Sequence, residues 1–108
     1  MDVKSEGAAS IMRLSGELDL ASSPALEREL DRALQPATHQ IILDLRELEF
    51  MDSTGLSVVV KAHQRAEEMG TSFGLVKGST QVQRLLSLTG VTDRLTVVDA
   101  PEELLSDD

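Results

Sequence analysis

Cysteine is absent from this chain of 108 residues, and aromatic side chains are almost absent. Without cysteine, disulfides and thiolate metal sites are excluded, and nothing indicates a secreted scaffold. The only aromatic rings of the Phe, Tyr and Trp type belong to Phe50 and Phe73, so base stacking and aromatic ligand cages are not expected. The core must therefore be aliphatic.

Basic residues are scarce, and long apolar runs are missing. Ten Lys and Arg against 19 Asp and Glu give a net charge of -9, which argues against nucleic-acid binding because a phosphate backbone would be repelled. No run is long enough to span a membrane, and no basic-then-apolar signal segment opens the chain. We therefore expect a cytoplasmic protein that inserts into no membrane, and the acidic surface favours a monomer.

The length favours a single domain over residues 1–108. The chain begins with a pattern typical of a hairpin between Asp2 and Leu18, with its turn at Glu6-Gly7. A continuous apolar run from Ile41 to Leu45 favours a central strand. Two further strands are predicted at residues 71–76 and 95–98.

Two of the predicted helices begin at residues that suit capping, and a fourth, short helix ends the chain. Ser22-Ser23-Pro24 begins the first helix, Ser79 can cap the third, and a short terminal helix is predicted at residues 101–105. The second helix is predicted to run to Met69 and to bury Leu56, Val59, Val60, His63, Ala66 and Met69 along one face. Glycines suited to left-handed helix ends follow the second and third helices, at Gly70 and Gly90.

The order of these elements predicts the fold class. Strand–helix–strand units imply parallel neighbours, and the opening hairpin adds an antiparallel strand. We therefore predict an α/β fold built on a mixed four- to five-stranded sheet, with an N-terminal hairpin and three to four helices.

Two hydroxyl groups stand where the central strand gives way to the second helix, in Asp52-Ser53-Thr54-Gly55. Ser53 is predicted to be the N-cap, and Gly55 is expected to keep the hydroxyls uncrowded. Asp52 complements the helix dipole, and a helix N-terminus suits a phosphate, either bound or attached. On these residues alone, simple capping is the commoner role, so both interpretations stay open.

Catalysis by this chain is not expected, because Ser53 has no base to activate it. His63 falls about two and a half turns along the same helix, and His39 lies at the opposite end of the central strand. Neither histidine has metal-ligand spacing, and no nucleophile elbow or phosphate-binding loop is present. Glu17 and Asp19 are better explained as loop charge or polar caps. We predict no enzyme activity, no cofactor and no metal.

Four segments, in order, resemble the STAS domain family, and more narrowly the free-standing bacterial anti-sigma factor antagonists. They span nearly the whole chain, and together they are specific although each is weak alone. The segments are Leu14-Ser15-Gly16-Glu17-Leu18-Asp19, Ile42-Leu43-Asp44-Leu45, Phe50-Met51-Asp52-Ser53-Thr54-Gly55-Leu56 and Leu86-Ser87-Leu88-Thr89-Gly90-Val91.

The resemblance implies a phosphorylation switch. In this family the serine after the Asp of the Asp-Ser-Ser/Thr-Gly motif is phosphorylated by a partner that is both anti-sigma factor and Ser/Thr kinase. That serine is Ser53, with Thr54 as a secondary acceptor. The unmodified protein binds the anti-sigma factor and frees the sigma factor, and a metal-dependent PPM-type phosphatase restores it. The partner-binding residues so implied are Asp19, Asp52, Ser53, Thr54, Gly55, Leu56 and Ser57.

One position departs from the family pattern. The family often has Gly-Leu-Gly after the phosphosite, whereas Ser57 follows Leu56 here and adds bulk to the first helical turn. Two alternatives remain within the fold. One is a STAS regulatory subunit docked on the cytoplasmic side of a membrane transporter and not phosphorylated. The other is a scaffold subunit of a larger signalling assembly.

Overall fold

The computed structural model describes residues 1–93 and 96–105. In these residues the predicted α/β fold class is confirmed, and the structure contains five strands and four α-helices. The strands are β1 (Asp2–Glu6), β2 (Ala9–Leu18), β3 (Gln40–Met51), β4 (Ser72–Val76) and β5 (Thr96–Val98). The helices are α1 (Ser23–Ala33), α2 (Ser53–Met69), α3 (Thr80–Leu88) and α4 (Glu102–Leu105), with a 3-10 turn at Val91–Asp93.

The sheet is mixed, and its spatial order is β1-β2-β3-β4-β5. The predicted hairpin is confirmed, since β1 pairs antiparallel with β2, and every later pair is parallel. The carboxyl ends of β2 to β5 therefore lie at one edge of the sheet, which is where ligands and partners commonly meet open α/β sheets.

The core is aliphatic apart from Phe73, as the composition requires. Fully buried side chains from the central strands pack against the helices, and each contributes roughly 1.5–3 kcal/mol relative to exposure. The largest of them include Met12, Leu26, Leu30, Ile41, Leu43, Leu45, Leu48, Met51, Leu75 and Leu86.

β3 is longer than predicted. The apolar run ended at Leu45, but the strand continues to Met51 and stays paired with β2 as far as Leu18. β4 accompanies it only to Asp44. The added residues do not alternate between buried and exposed. Only Leu48 and Met51 are buried, three positions apart, and this spacing does not indicate a strand.

The predicted inner face of α2 is confirmed in part. Val59, His63 and Ala66 are buried, whereas Leu56 and Val60 are only partly buried. The predicted burial of Met69 was wrong, because this last residue of α2 remains 44% exposed. The buried stripe also includes Gly55, Val58 and Ala62.

Most of the predicted helix ends are confirmed. Gly70 adopts the left-handed conformation after α2, and Ser79 caps α3 by accepting from the Val82 N–H at 3.3 Å. Gly90 also has positive φ, and Val91 packs into the core. The predicted side-chain cap of α1 was wrong, because Ser22 occupies the cap position without making a cap hydrogen bond. Residue 95 of the last predicted strand lies outside the described residues.

Candidate functional site

The ends of β2 and β3 lie side by side and lead into α1 and α2. Leu18 and Met51 are partners in the parallel register. The Asp52 N–H then donates to the Leu18 carbonyl at 3.1 Å, so the two strands remain joined up to the residue that directly precedes α2. This pairing fixes the start of α2 relative to the sheet.

Asp52, rather than Ser53, is the N-cap of α2. Its backbone is extended, and its Oδ1 accepts from the Gly55 N–H at 3.0 Å. Asp and Ser are both good caps, but β3 runs to Met51, which makes Asp52 the one residue between the strand and the helix. The predicted cap at Ser53 was therefore wrong, and Ser53 is the first residue inside the helix.

The two hydroxyls that follow the cap are free of internal bonds. Ser53 is exposed, Thr54 is partly buried, and neither side chain hydrogen-bonds to any other residue that the structure describes. Ser57, one turn further along α2, is exposed as well. A hydroxyl released from capping is more accessible to an incoming group than one held by the backbone.

Gly55 is required by packing, not by room for the hydroxyls as expected from the sequence. It is buried and faces β2. A Cβ at this position would lie 2.6 Å from the Leu18 carbonyl oxygen and 2.8 Å from Leu18 Cγ. The glycine thus lets the first turn of α2 rest directly on the end of β2.

Gln81, which no sequence pattern singles out, holds the end of β3 from the side opposite β2. Its Nε2 donates to the Met51 carbonyl at 3.1 Å, and its Oε1 accepts from the Met51 N–H at 3.1 Å. Both hydrogen-bonding groups of Met51 are satisfied by one side chain from α3. The contact spans 30 residues of sequence, and therefore no local pattern could indicate it.

Asp19 follows β2 as Asp52 follows β3, but its carboxylate is engaged locally. Oδ1 accepts from the N–H groups of Ala21 and Ser22, both at 3.1 Å, and from the Ser22 hydroxyl at 3.0 Å. The bonds from Ser22 hold the pKa of Asp19 below its ordinary value. The predicted polar-cap role of this residue fits these contacts, whereas its predicted contact with a partner stays a prediction.

The surface around Ser53 is acidic and carries two exposed apolar side chains. Residues 14–27 and 47–60 include no Lys or Arg. Leu20 is 75% exposed and Phe50 is 42% exposed, close in sequence to the ends of β2 and β3. Exposed apolar groups beside a strand edge are a common feature of protein-binding surfaces. Neither was singled out as a contact from the sequence.

The histidines do not take part in this arrangement. His63 is buried, packs edge-on against Phe73 with 5.9 Å between ring centroids, and follows Ser53 by about 15 Å of helix. Within residues 1–93 and 96–105, no cluster of three potential metal ligands occurs. No helix in the same part of the chain is long and apolar enough to cross a bilayer.

The chain is similar to proteins of known family throughout its length. The STAS domain model matches residues 1–104, and the chain therefore belongs to the STAS domain family. It is 33% identical over 90 residues to an anti-sigma F factor antagonist of Paenibacillus polymyxa, covering 82% of this chain and 77% of that one. It is 30% identical over 91 residues to an anti-sigma-B factor antagonist of Staphylococcus epidermidis, covering 84% of each chain.

The fold is also that of a solved structure. The Bacillus cell fate determinant SpoIIAA in its phosphorylated form superposes with a TM-score of 0.79 at 23% identity, covering 96% of this chain and 95% of that one. At this identity the similarity establishes the fold.

Proposed function

We propose that this protein is an anti-sigma factor antagonist, built as a single STAS domain over residues 1–108 and acting by binding rather than catalysis. When Ser53 is unmodified it binds an anti-sigma factor that is also a Ser/Thr kinase. Phosphorylation of Ser53 ends the binding, and a PPM-type phosphatase restores it. The observation that carries the proposal is the exposed, unbonded Ser53 hydroxyl beside an Asp52 cap, in a chain whose relatives are named antagonists.

The helix start can bear a phosphate without unfolding. A phosphate on Ser53 adds about two negative charges at the first position of α2, where the helix dipole favours negative charge by roughly 0.3–1 kcal/mol. The cap bond from Asp52 to Gly55 does not involve Ser53 and need not break. We therefore expect the modified protein to retain its fold, so that the switch acts at the interface.

The acidic surroundings indicate how the phosphate would act. Asp52 adjoins Ser53, and no basic residue of this chain lies in residues 47–60. A partner that covers an uncharged Ser53 hydroxyl would have to bury a dianion after phosphorylation, and burying an uncompensated charge is costly. Bulk and desolvation at this one position, rather than refolding, are the proposed cause of release.

Mass spectrometry after incubation with candidate anti-sigma kinases and Mg-ATP tests the acceptor. The kinase supplies the nucleotide, the metal and the base. Phosphate is expected on Ser53, and none on that position in Ser53→Ala. Ser5→Ala, which removes an exposed hydroxyl from β1 and lies outside the implied partner-binding residues, should be phosphorylated like the parent. In a Thr54→Val variant the phosphate on Ser53 should remain, which distinguishes Ser53 from Thr54 as the acceptor.

Binding measurements test the switch itself. Ser53→Ala should bind the kinase like the parent, and Ser53→Asp should bind poorly. Equal binding by both variants contradicts the switch. Stable copurification with a membrane transporter, independent of Ser53, would support the alternative of a transporter subunit.

A further inference from the structure

Basic side chains are scarce in this molecule, and most of those that the structure describes are paired with carboxylates. Five of them lie within 4.0 Å of an Asp or Glu oxygen: Lys4, Arg13, Arg32, Arg46 and Arg65. In residues 1–93 and 96–105 the other four form no such ion pair: Arg28, Lys61, Lys77 and Arg84. Two of these four, Arg28 in α1 and Lys61 in α2, are exposed on neighbouring helices.

The fold brings Arg28 and Lys61 together where α1 meets α2. β2 and β3 are parallel neighbours, so the helices that follow them run in the same direction. An ion pair of 2.6 Å between Asp31 Oδ1 and Arg65 Nη1 joins the two helices. Arg28 lies three residues before the α1 member of this pair, Lys61 lies four residues before the α2 member, and both spacings return to the same helix face. The two cations, which we call the basic pair, therefore lie side by side one turn nearer to the helix starts.

Neither cation of the basic pair has a free carboxylate on its own helix face. The positions three and four residues away from Lys61 carry no acidic group: Ser57, Val58, Gln64 and Arg65. The same positions around Arg28 include one carboxylate, that of Asp31, which Arg65 already engages. Glu27 adjoins Arg28 in sequence, but adjacent residues of a helix do not face each other. Within the described residues, the basic pair is thus positive charge that no ion pair neutralises, in a chain with a net charge of -9.

The basic pair lies within reach of a partner that covers Ser53. Lys61 follows Ser53 by eight residues, which is about 12 Å along α2. A stable protein interface covers roughly 800 Å² of each partner, and a patch of that area is about 30 Å across. One partner can therefore contact the acidic start of α2 and the basic pair at the same time.

We propose that the anti-sigma factor presents acidic side chains to Arg28 and Lys61, and that these two residues help to select and orient it. This inference rests on the proposed function and adds contacts outside the predicted partner-binding residues. Residues 47–60 around Ser53 include no Lys or Arg, whereas Lys61 follows them directly. A surface with negative charge at one end and positive charge at the other favours one orientation of the partner, because the reverse orientation places like charges together. Complementary charge of this kind controls association rate and partner choice more than affinity.

Charge reversal of the basic pair tests this inference. Arg28→Glu and Lys61→Glu should each weaken binding of the unmodified full chain to the anti-sigma kinase about two- to fivefold at low ionic strength, and the double variant about tenfold. The loss should shrink at high ionic strength, because salt screens exposed charges. Lys4→Glu and Arg84→Glu are matched controls that reverse one lysine on β1 and one arginine on α3, and they should bind like the parent.

Zero-length crosslinking gives a second readout that needs no charge variant. A carbodiimide joins a lysine amine to a carboxylate that is in contact with it. The complex should therefore yield a crosslinked peptide pair that joins Lys61 to an Asp or Glu of the anti-sigma kinase. The same crosslink should be lost with Ser53→Asp, which is expected to bind poorly.

The outcomes separate this inference from the proposed function. The basic pair is refuted if its double variant binds like the parent, or if the double control variant weakens binding equally. Every charge variant keeps Ser53, so phosphorylation of Ser53 and poor binding by Ser53→Asp test the switch independently. A parent protein that binds no anti-sigma kinase contradicts the proposed function itself, and this inference with it.

Discussion

Two serines begin helices at neighbouring strand ends, and their environments are opposite. Ser23 is the first residue of α1, is only 1% exposed, and its hydroxyl has no hydrogen-bond partner among the described residues. Ser53 is the first residue of α2 and is exposed. Both follow an aspartate at the end of a parallel strand, yet only one presents a hydroxyl that a kinase could reach.

The length of the junction explains the difference. Four residues, Asp19 to Ser22, separate β2 from α1, and they fold into a turn in which the Asp19 carboxylate is satisfied by backbone and hydroxyl donors. A single residue, Asp52, separates β3 from α2. The short junction places the helix start at the sheet edge, and the long one turns the first serine into the interior. A serine at a helix start is therefore not sufficient for an acceptor site.

The largest effect is expected from Gly55→Ala, which should disrupt the short junction. Alanine gains about 1 kcal/mol of helix propensity over glycine. Its Cβ would meet the Leu18 carbonyl oxygen at 2.6 Å and Leu18 Cγ at 2.8 Å, however. Overpacking typically costs about 1–3 kcal/mol and occasionally more, and we place this clash with backbone at or above the upper end of that range. Because the contact is with backbone rather than a flexible tip, we expect net destabilisation in urea unfolding.

The control for this change is Ser57→Ala, an exposed position in the same helix that gains propensity without a clash. It should be neutral or slightly stabilising. A Gly55→Ala protein as stable as the parent would contradict the close packing of α2 on β2.

The next effect is expected from Asp52→Ala, which removes the cap of α2. Loss of a cap costs about 0.5–2 kcal/mol. Asp52→Asn keeps an acceptor oxygen for the Gly55 N–H and should recover most of the stability, as measured by urea unfolding. If both variants lose the same free energy, the carboxylate acts through its charge and not through the cap bond.

A smaller effect, and one of opposite sign, is expected from Ser23→Ala. Removing a buried hydroxyl that has no partner relieves its desolvation penalty, so the unfolding free energy should rise by up to about 1 kcal/mol. Ser53→Ala, at the equivalent place in α2, should change stability by less than about 0.5 kcal/mol because it is exposed. A marked loss of stability in Ser23→Ala would mean that the buried hydroxyl is bonded in solution.

The fold was largely predictable because its signals are local. Apolar runs, helix periodicity and left-handed glycines such as Gly70 each depend on a few adjacent residues, and the order of elements followed from them. The end of β3 was not predictable in this way. Its exposed residues carry no buried pattern, and the strand continues because β2 runs beside it.

The candidate site was located by its sequence, but its internal roles were not. Asp52 and Ser53 are both good caps, and only the strand boundary decides between them. The reason for Gly55 depends on Leu18, which is distant in sequence, and Gln81 depends on Met51 in the same way. Long-range contacts of this kind leave no trace in a single local pattern.

The Gln81 contact has a consequence for the solubility of the molecule. Beyond Asp44, β3 continues without β4 beside it, so residues 46–50 form a strand segment with a partner on one side only. An open segment of this kind is a template for adding a foreign strand and hence for aggregation. The amide of Gln81 occupies the last step of that template by pairing with Met51, and the exposed charges of Glu47 and Glu49 repel the acidic edge of another copy. Gln81 therefore occupies the backbone groups of Met51 with which an added strand would otherwise pair.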